Sequence, residues 1–217
     1  MNDVEQKVIE QIVINTVKKL MEAQDSPDRV VLGISNKHMH LTQGDIETLF
    51  GKGHQLTNKK DLKQPGQFAA EETVKVIGPK GSFDQVRILG PARPESQIEI
   101  SLTDARAIGI KAPVCESGHL EGTPGIILEG PCGRVELKEG VIVALRHIHM
   151  PLDIAGKLGI KDKDFVCVET SGLRKTIFCN VLARVSDKFD FEMHLDTDEA
   201  NSAGLNNNDT LKIIPNR

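Results

Sequence analysis

The chain contains no tryptophan and no tyrosine, and only seven phenylalanines among its 217 residues. Base stacking on aromatic side chains therefore has almost no platform, which argues against a reader of single-stranded nucleic acid. Nor is there an excess of base. Lys and Arg number 27 against 31 Asp and Glu, giving a formal net charge of −4 and a pI near 6.0. A cationic footprint for a phosphate backbone is missing too, so no nucleic-acid partner is expected. No apolar run reaches the length of about 18 residues that a spanning helix needs, so no membrane partner is expected either. The opening MNDVEQKVIEQ interrupts every apolar stretch with acids and amides, unlike a signal peptide.

Cysteine is sparse. Cys115, Cys132, Cys167 and Cys179 lie far apart with no C-x-x-C pair, so all four are expected as reduced thiols of a cytoplasmic protein. Walker A, a G-x-G-x-x-G after a strand and a G-x-S-x-G elbow are all lacking, which leaves nucleotide folds and serine hydrolases without support. What remains is a chain 39% hydrophobic and 27% charged, long enough for one large or two small domains with real cores.

Residues 1–24 read as an amphipathic helix. Val4, Val8, Ile9, Ile12, Val13, Val17, Leu20 and Met21 recur at three- and four-residue steps. A polar linker with Pro27 follows at 25–29. Beyond it the texture is mainly β with short helices. Runs such as VVLGIS (30–35), TVKVIG (73–78), QVRILG (85–90), QIEISL (97–102), VIVALRHIH (141–149), TIFCNVLARV (176–185) and TLKII (210–214) alternate with Gly, Pro, Asn and Asp.

An internal repeat organises these strands. Glu99, His149 and His194 are each followed ten residues later by a glycine, Gly109, Gly159 and Gly204; a looser copy runs from His40 to Gly51. Each copy reads as a strand end, a short capped helix and a glycine stop. Each half also opens with His-x-His, His38/His40 and His147/His149. The expected architecture is two related β-barrel lobes, 30–128 and 129–217, facing each other across a pseudo-two-fold axis.

On a strand, side chains i and i+2 share a face and stand about 6–7 Å apart, so two imidazoles can converge on one ion. His38, His40 and Glu99 from one half, and His147, His149 and His194 from the other, are the candidate metal ligands. Imidazole and carboxylate without thiolate favour zinc, with Co, Mn or Fe as substitutes. Three protein ligands leave a position open, the mark of a catalytic ion. Arg93, between two prolines and six residues before Glu99, offers a stiffly held guanidinium for a phosphate or carboxylate.

SNKHMHLT (35–42), LGPARPESQIEIS (89–101), SGHLEGTPG (117–125), ALRHIHM (144–150) and EMHLDTDEAN (192–201) resemble the PduL-type phosphate acyltransferases. The resemblance spans the chain from about residue 30 to 217. It implies two β-barrel domains with two zinc ions per chain between them, one on His38, His40 and Glu99 and the other on His147, His149 and His194. Arg93 matches the family's phosphate-binding arginine, and Ser117 a serine lining the site. The implied reaction is acyl-CoA + phosphate ⇌ acyl phosphate + CoA, with propanoyl the leading acyl group and acetyl an alternative. Direct transfer in a ternary complex is expected, since no activated Ser–His or Cys–His nucleophile stands out. The helix of residues 1–24 is similar to peptides that target such enzymes into bacterial microcompartments, with shell or cargo as partner. A homo-oligomer is expected as well. Two other readings stay open at this point, a dinuclear metallohydrolase and a non-catalytic metal-binding scaffold.

Overall fold

A computed structural model describes residues 6, 9–16 and 26–214. Residues 9–16 are helical, as expected from the periodicity; the rest of the helix expected over 1–24 lies outside the described residues apart from residue 6, as does residue 25 of the linker. The chain then runs through β1 (Arg29–Ser35), β2 (His38–His40), α1 (Gln43–Phe50), β3 (Asn58–Asp61), β4 (Phe68–Ile77), β5 (Ser82–Gly90), β6 (Gln97–Glu99) and α2 (Leu102–Ile108). It continues with β7 (Val114–Cys115), β8 (Ile126–Glu129), β9 (Arg134–Leu137), β10 (Val141–Ala144), β11 (His147–Met150) and α3 (Leu152–Leu158). The last elements are β12 (Phe165–Glu169), β13 (Ile177–Val185), β14 (Glu192–Asp196), α4 (Thr197–Ala203) and β15 (Thr210–Ile214).

The sequence repeat is one structural unit used four times. In each copy the residue two beyond the candidate ligand is the helix N-cap: Thr42 after His40, Ser101 after Glu99, Pro151 after His149 and Asp196 after His194. Thr42 accepts from the Asp45 N–H and Ser101 from the Asp104 N–H, while Asp196 and Glu199 form a reciprocal capping box. Each such cap satisfies an orphan donor and is worth about 1 kcal/mol. Gly109, Gly159 and Gly204 stop their helices in the left-handed region at φ of 78°, 67° and 66°, where a Cβ is disfavoured.

Six strands close a barrel in the order β1-β14-β11-β13-β12-β15. The other nine form one sheet, β7-β10-β6-β2-β5-β4-β8-β9, with β3 added on β4. The two are related in their central pairings. β2 lies between parallel β5 and antiparallel β6, and β11 lies between parallel β13 and antiparallel β14. Each sheet has its own apolar core, Met39, Ile88 and Ile98 among the residues of one, Ile148, Val166 and Met193 among those of the other.

Three expectations are corrected. The sheets do not divide at 128/129. β1 belongs to the barrel, pairing with β14 and β15, while β9 and β10 belong to the first sheet. A local repeat marks a unit but carries no signal for the distant strand that closes it. The run 141–149 is two strands in different sheets, β10 in the first sheet and β11 in the barrel. The third correction concerns the thiols: Cys167 and Cys179 are joined as a disulfide, and Cys115 and Cys132 are free. The bonded pair sits on antiparallel neighbours where the register shifts between Val166 and Val168, a proximity that a separation of 12 residues does not announce. No helix among the described residues is long and apolar enough to cross a membrane.

Candidate functional site

Strand alternation builds the site. On β2, Met39 points into the core and is fully buried, which turns His38 and His40 to the opposite face. The antiparallel register sets Glu99 across from His38 and Gln97 across from His40. On β11, Ile148 is the buried middle residue, with His147 across from His194 and His149 across from Glu192. The outcome is two groups, His38/His40/Glu99 and His147/His149/His194, each with its ligand atoms within 4.8 Å of one another. All six sequence-predicted ligands are thus brought together in the expected threes. His38, Glu99, His147 and His194 line a single cleft, so the two groups open onto the same space.

The imidazoles are set up as lone-pair donors. Nδ1 of His38, His40 and His147 lies 2.8, 3.2 and 2.9 Å from the carbonyls of Asn36, Leu89 and Leu145. A carbonyl can only accept, so Nδ1 carries the hydrogen and Nε2 is left bare. Nε2 of His147 and Nε2 of His149 then approach to 3.2 Å. Nδ1 of His149 and Nε2 of His194 are buried without an aligned hydrogen bond.

Protonation follows from burial. Desolvation, together with His38 and Arg93 nearby, brings His40 down to about 3. His149 falls to about 2 through burial and the neighbouring His147, His194 and Arg184. His147 is lowered as well, by burial and then by His194. Burial works to raise Glu99, but His38, His40, His147 and the Ser117 hydroxyl outweigh it and hold the carboxyl ionised. Imidazoles converging on a carboxylate, three of them with Nδ1 tied to carbonyls, make a group that could hold a metal ion.

Ser117 and Arg93 both reach this region. The Ser117 hydroxyl donates to Glu99 Oε1 at 3.1 Å and accepts from Gln97 Nε2 at 2.8 Å, so it touches the ligand carboxylate itself. Arg93 is half-buried, makes no direct ion pair among the described residues, and feels both Glu99 and the like charge of Arg184. Arg184 lies across from His149 on β13. Its Nε is 3.8 Å from Glu116, which also pairs with Lys163. Two guanidiniums beside bare imidazoles make a place suited to an anion. His54 is paired with Glu72 at 2.9 Å and His119 is exposed, so neither joins the groups.

Sequence reading missed Arg184, Gln97, Glu116 and Glu192. Gln97 and Glu192 did carry a signal, since each stands two residues before the third ligand of its half. Arg184 and Glu116 carried none, because their place depends on which strands pair.

The model of the family described as phosphate propanoyltransferase matches residues 31–206. The chain belongs to the phosphate propanoyltransferase family. It is 49% identical to the phosphate propanoyltransferase of Thermotoga maritima, over 93% of this chain and 97% of that protein. The phosphate propanoyltransferase of Salmonella typhimurium is 52% identical over 91% of this chain and 93% of its own length. That of Rhodopseudomonas palustris is 46% identical over 97% and 98%. Both ligand groups, Arg93 and Ser117 all fall inside the span that matches the phosphate propanoyltransferase model.

Proposed function

We propose that the chain transfers a short acyl group between CoA and phosphate, propanoyl-CoA + phosphate ⇌ propanoyl phosphate + CoA. The observation that carries this reading is the pair of three-ligand groups opening onto one cleft, with Arg93 and Arg184 beside them. Zinc would be held by His38, His40 and Glu99 in one centre and by His147, His149 and His194 in the other. When bound, it supplies Lewis-acid stabilisation of a developing oxyanion and of the departing thiolate.

The protein groups do the rest. Arg93, with Arg184 near it, binds and orients phosphate, offsetting the charge that would otherwise keep a dianion from a thioester carbonyl. Ser117 and Gln97 hold the Glu99 carboxylate by hydrogen bonds. Phosphate oxygen attacks the thioester carbon, the C–S bond breaks, and CoA leaves as thiolate; no acyl-enzyme is formed. Incubation with propanoyl-CoA and phosphate should yield one acyl phosphate, trapped as the hydroxamate, per thiol released. Thiol release without phosphate would mean hydrolysis, and none at all a binding scaffold.

The first 24 residues, of which 9–16 are helical, we assign to docking, on a microcompartment shell or on a second copy. Ile9, Ile12 and Val13 are about half exposed, at 48, 58 and 54%, which supports a face awaiting a partner. On this reading the enzyme works inside the bacterial cytoplasm, within a compartment.

A further inference from the structure

Glu192 is buried, yet the six-ligand scheme leaves it without a task. Its Oε2 stands 3.3 Å from Nε2 of His194. Gln64, also buried, donates from Nε2 to that same oxygen at 3.1 Å and to the Asp190 carbonyl at 3.1 Å. Gly33 makes room for the pair. It lies across from His194 on β1, and a Cβ there would come within 2.9 Å of Glu192 Oε1 and 3.2 Å of the His194 ring.

The other half contains an equivalent contact. Gln97, two residues before Glu99, donates from Nε2 to Glu99 Oε1 at 2.6 Å. It is held in turn by Ser117 and by the Gly118 N–H. The registers make Gln97 and Glu192 equivalent, one across from His40 and the other across from His149. In each half, the side chain two residues before the third ligand shares its face and touches it.

We propose that Glu192 is the positioning residue of the second centre, its carboxylate set 3.3 Å from Nε2 of His194 and holding that imidazole in place. Gln64 anchors the carboxylate from the loop between β3 and β4, which seats the barrel's centre against the other sheet. The inference rests on the two-metal reading. A carboxylate behind a ligand imidazole fixes its tautomer and raises its basicity, and losing such a partner weakens metal binding by about 10- to 100-fold.

Zinc affinity, measured on the full-length metal-free protein by competition with a chromogenic chelator, tests the assignment without reference to turnover. Wild type should take up two equivalents. Glu192→Ala should weaken one of them about 10- to 100-fold and leave the other unchanged. Glu192→Gln should fall between, because an amide oxygen still accepts but without charge. Gln64→Met should weaken the same equivalent, and His38→Ala should remove the other one. Wild-type affinity at both sites in Glu192→Ala overturns the proposal. Should that variant fail to fold, unchanged affinity in both Glu192→Gln and Gln64→Met overturns it. A wild type that binds fewer than two equivalents would instead contradict the two-metal reading.

Discussion

His147 and His194 are direct cross-strand partners on antiparallel β11 and β14, their rings stacked 25° from parallel with centroids 5.1 Å apart. His38 and Glu99 stand in the same relation on β2 and β6. Strand register therefore assembles each ligand group, and a slip of one residue would turn the ligands into the core.

Ligands and core side chains alternate along the same strands, so their substitutions should separate cleanly. His147→Ala should bind one fewer metal equivalent and lose turnover, while its metal-free form melts as metal-free wild type does. Ile148→Ala, one residue on, removes a fully buried side chain and should cost about 2–5 kcal/mol in chemical denaturation. A His147→Ala protein that unfolds would make that metal structural.

Arg93→Lys keeps the charge but loses the planar fork. Steady-state kinetics should register a raised KM for phosphate with the KM for propanoyl-CoA nearly unchanged. An equal loss on both substrates would assign Arg93 to the CoA side or to folding.

Acid should destabilise the metal-free protein well before its carboxylates titrate. His40 and His149 are held near 3 and near 2 when folded, against 6.5 for an ordinary imidazole. Above pH 6.5 neither the folded nor the unfolded chain binds these protons, and the stability is fully present. Below it the unfolded chain takes up protons that the folded chain refuses, so stability falls as pH drops toward the folded values. The slope is at most about 1.4 kcal/mol per pH unit for each imidazole. Thermal melts of metal-free protein should show a lower Tm at pH 5 than at pH 7, and His40→Gln should flatten that dependence. A Tm independent of pH over this range would contradict the burial of neutral imidazoles.

Removing the residues before Pro27 should leave turnover intact and reduce self-association, since the exposed Ile9, Ile12 and Val13 go with them. Residues 1–24 fused to a fluorescent cargo should carry it into co-expressed shells. Lost activity on truncation would place the helix in the catalytic body instead.

The grouping of the six candidate ligands was legible in sequence because its determinants are local. His-x-His shares a strand face, and a cap two residues past the ligand and a closing glycine complete each unit. What distant pairing decides was not legible. The capture of β1 by the barrel, the split of 141–149 between two sheets, and the bond between Cys167 and Cys179 have no local pattern. Arg184 looked like one more residue of a β-branched strand until its parallel pairing set it across from His149.

The most direct measurement of the central claim is thiol release from propanoyl-CoA as zinc is added back to metal-free protein, with and without phosphate. A two-metal phosphate acyltransferase gives no release without phosphate, and with phosphate reaches full rate at the second equivalent of zinc. Full rate in the metal-free protein, or release that ignores phosphate, would contradict it.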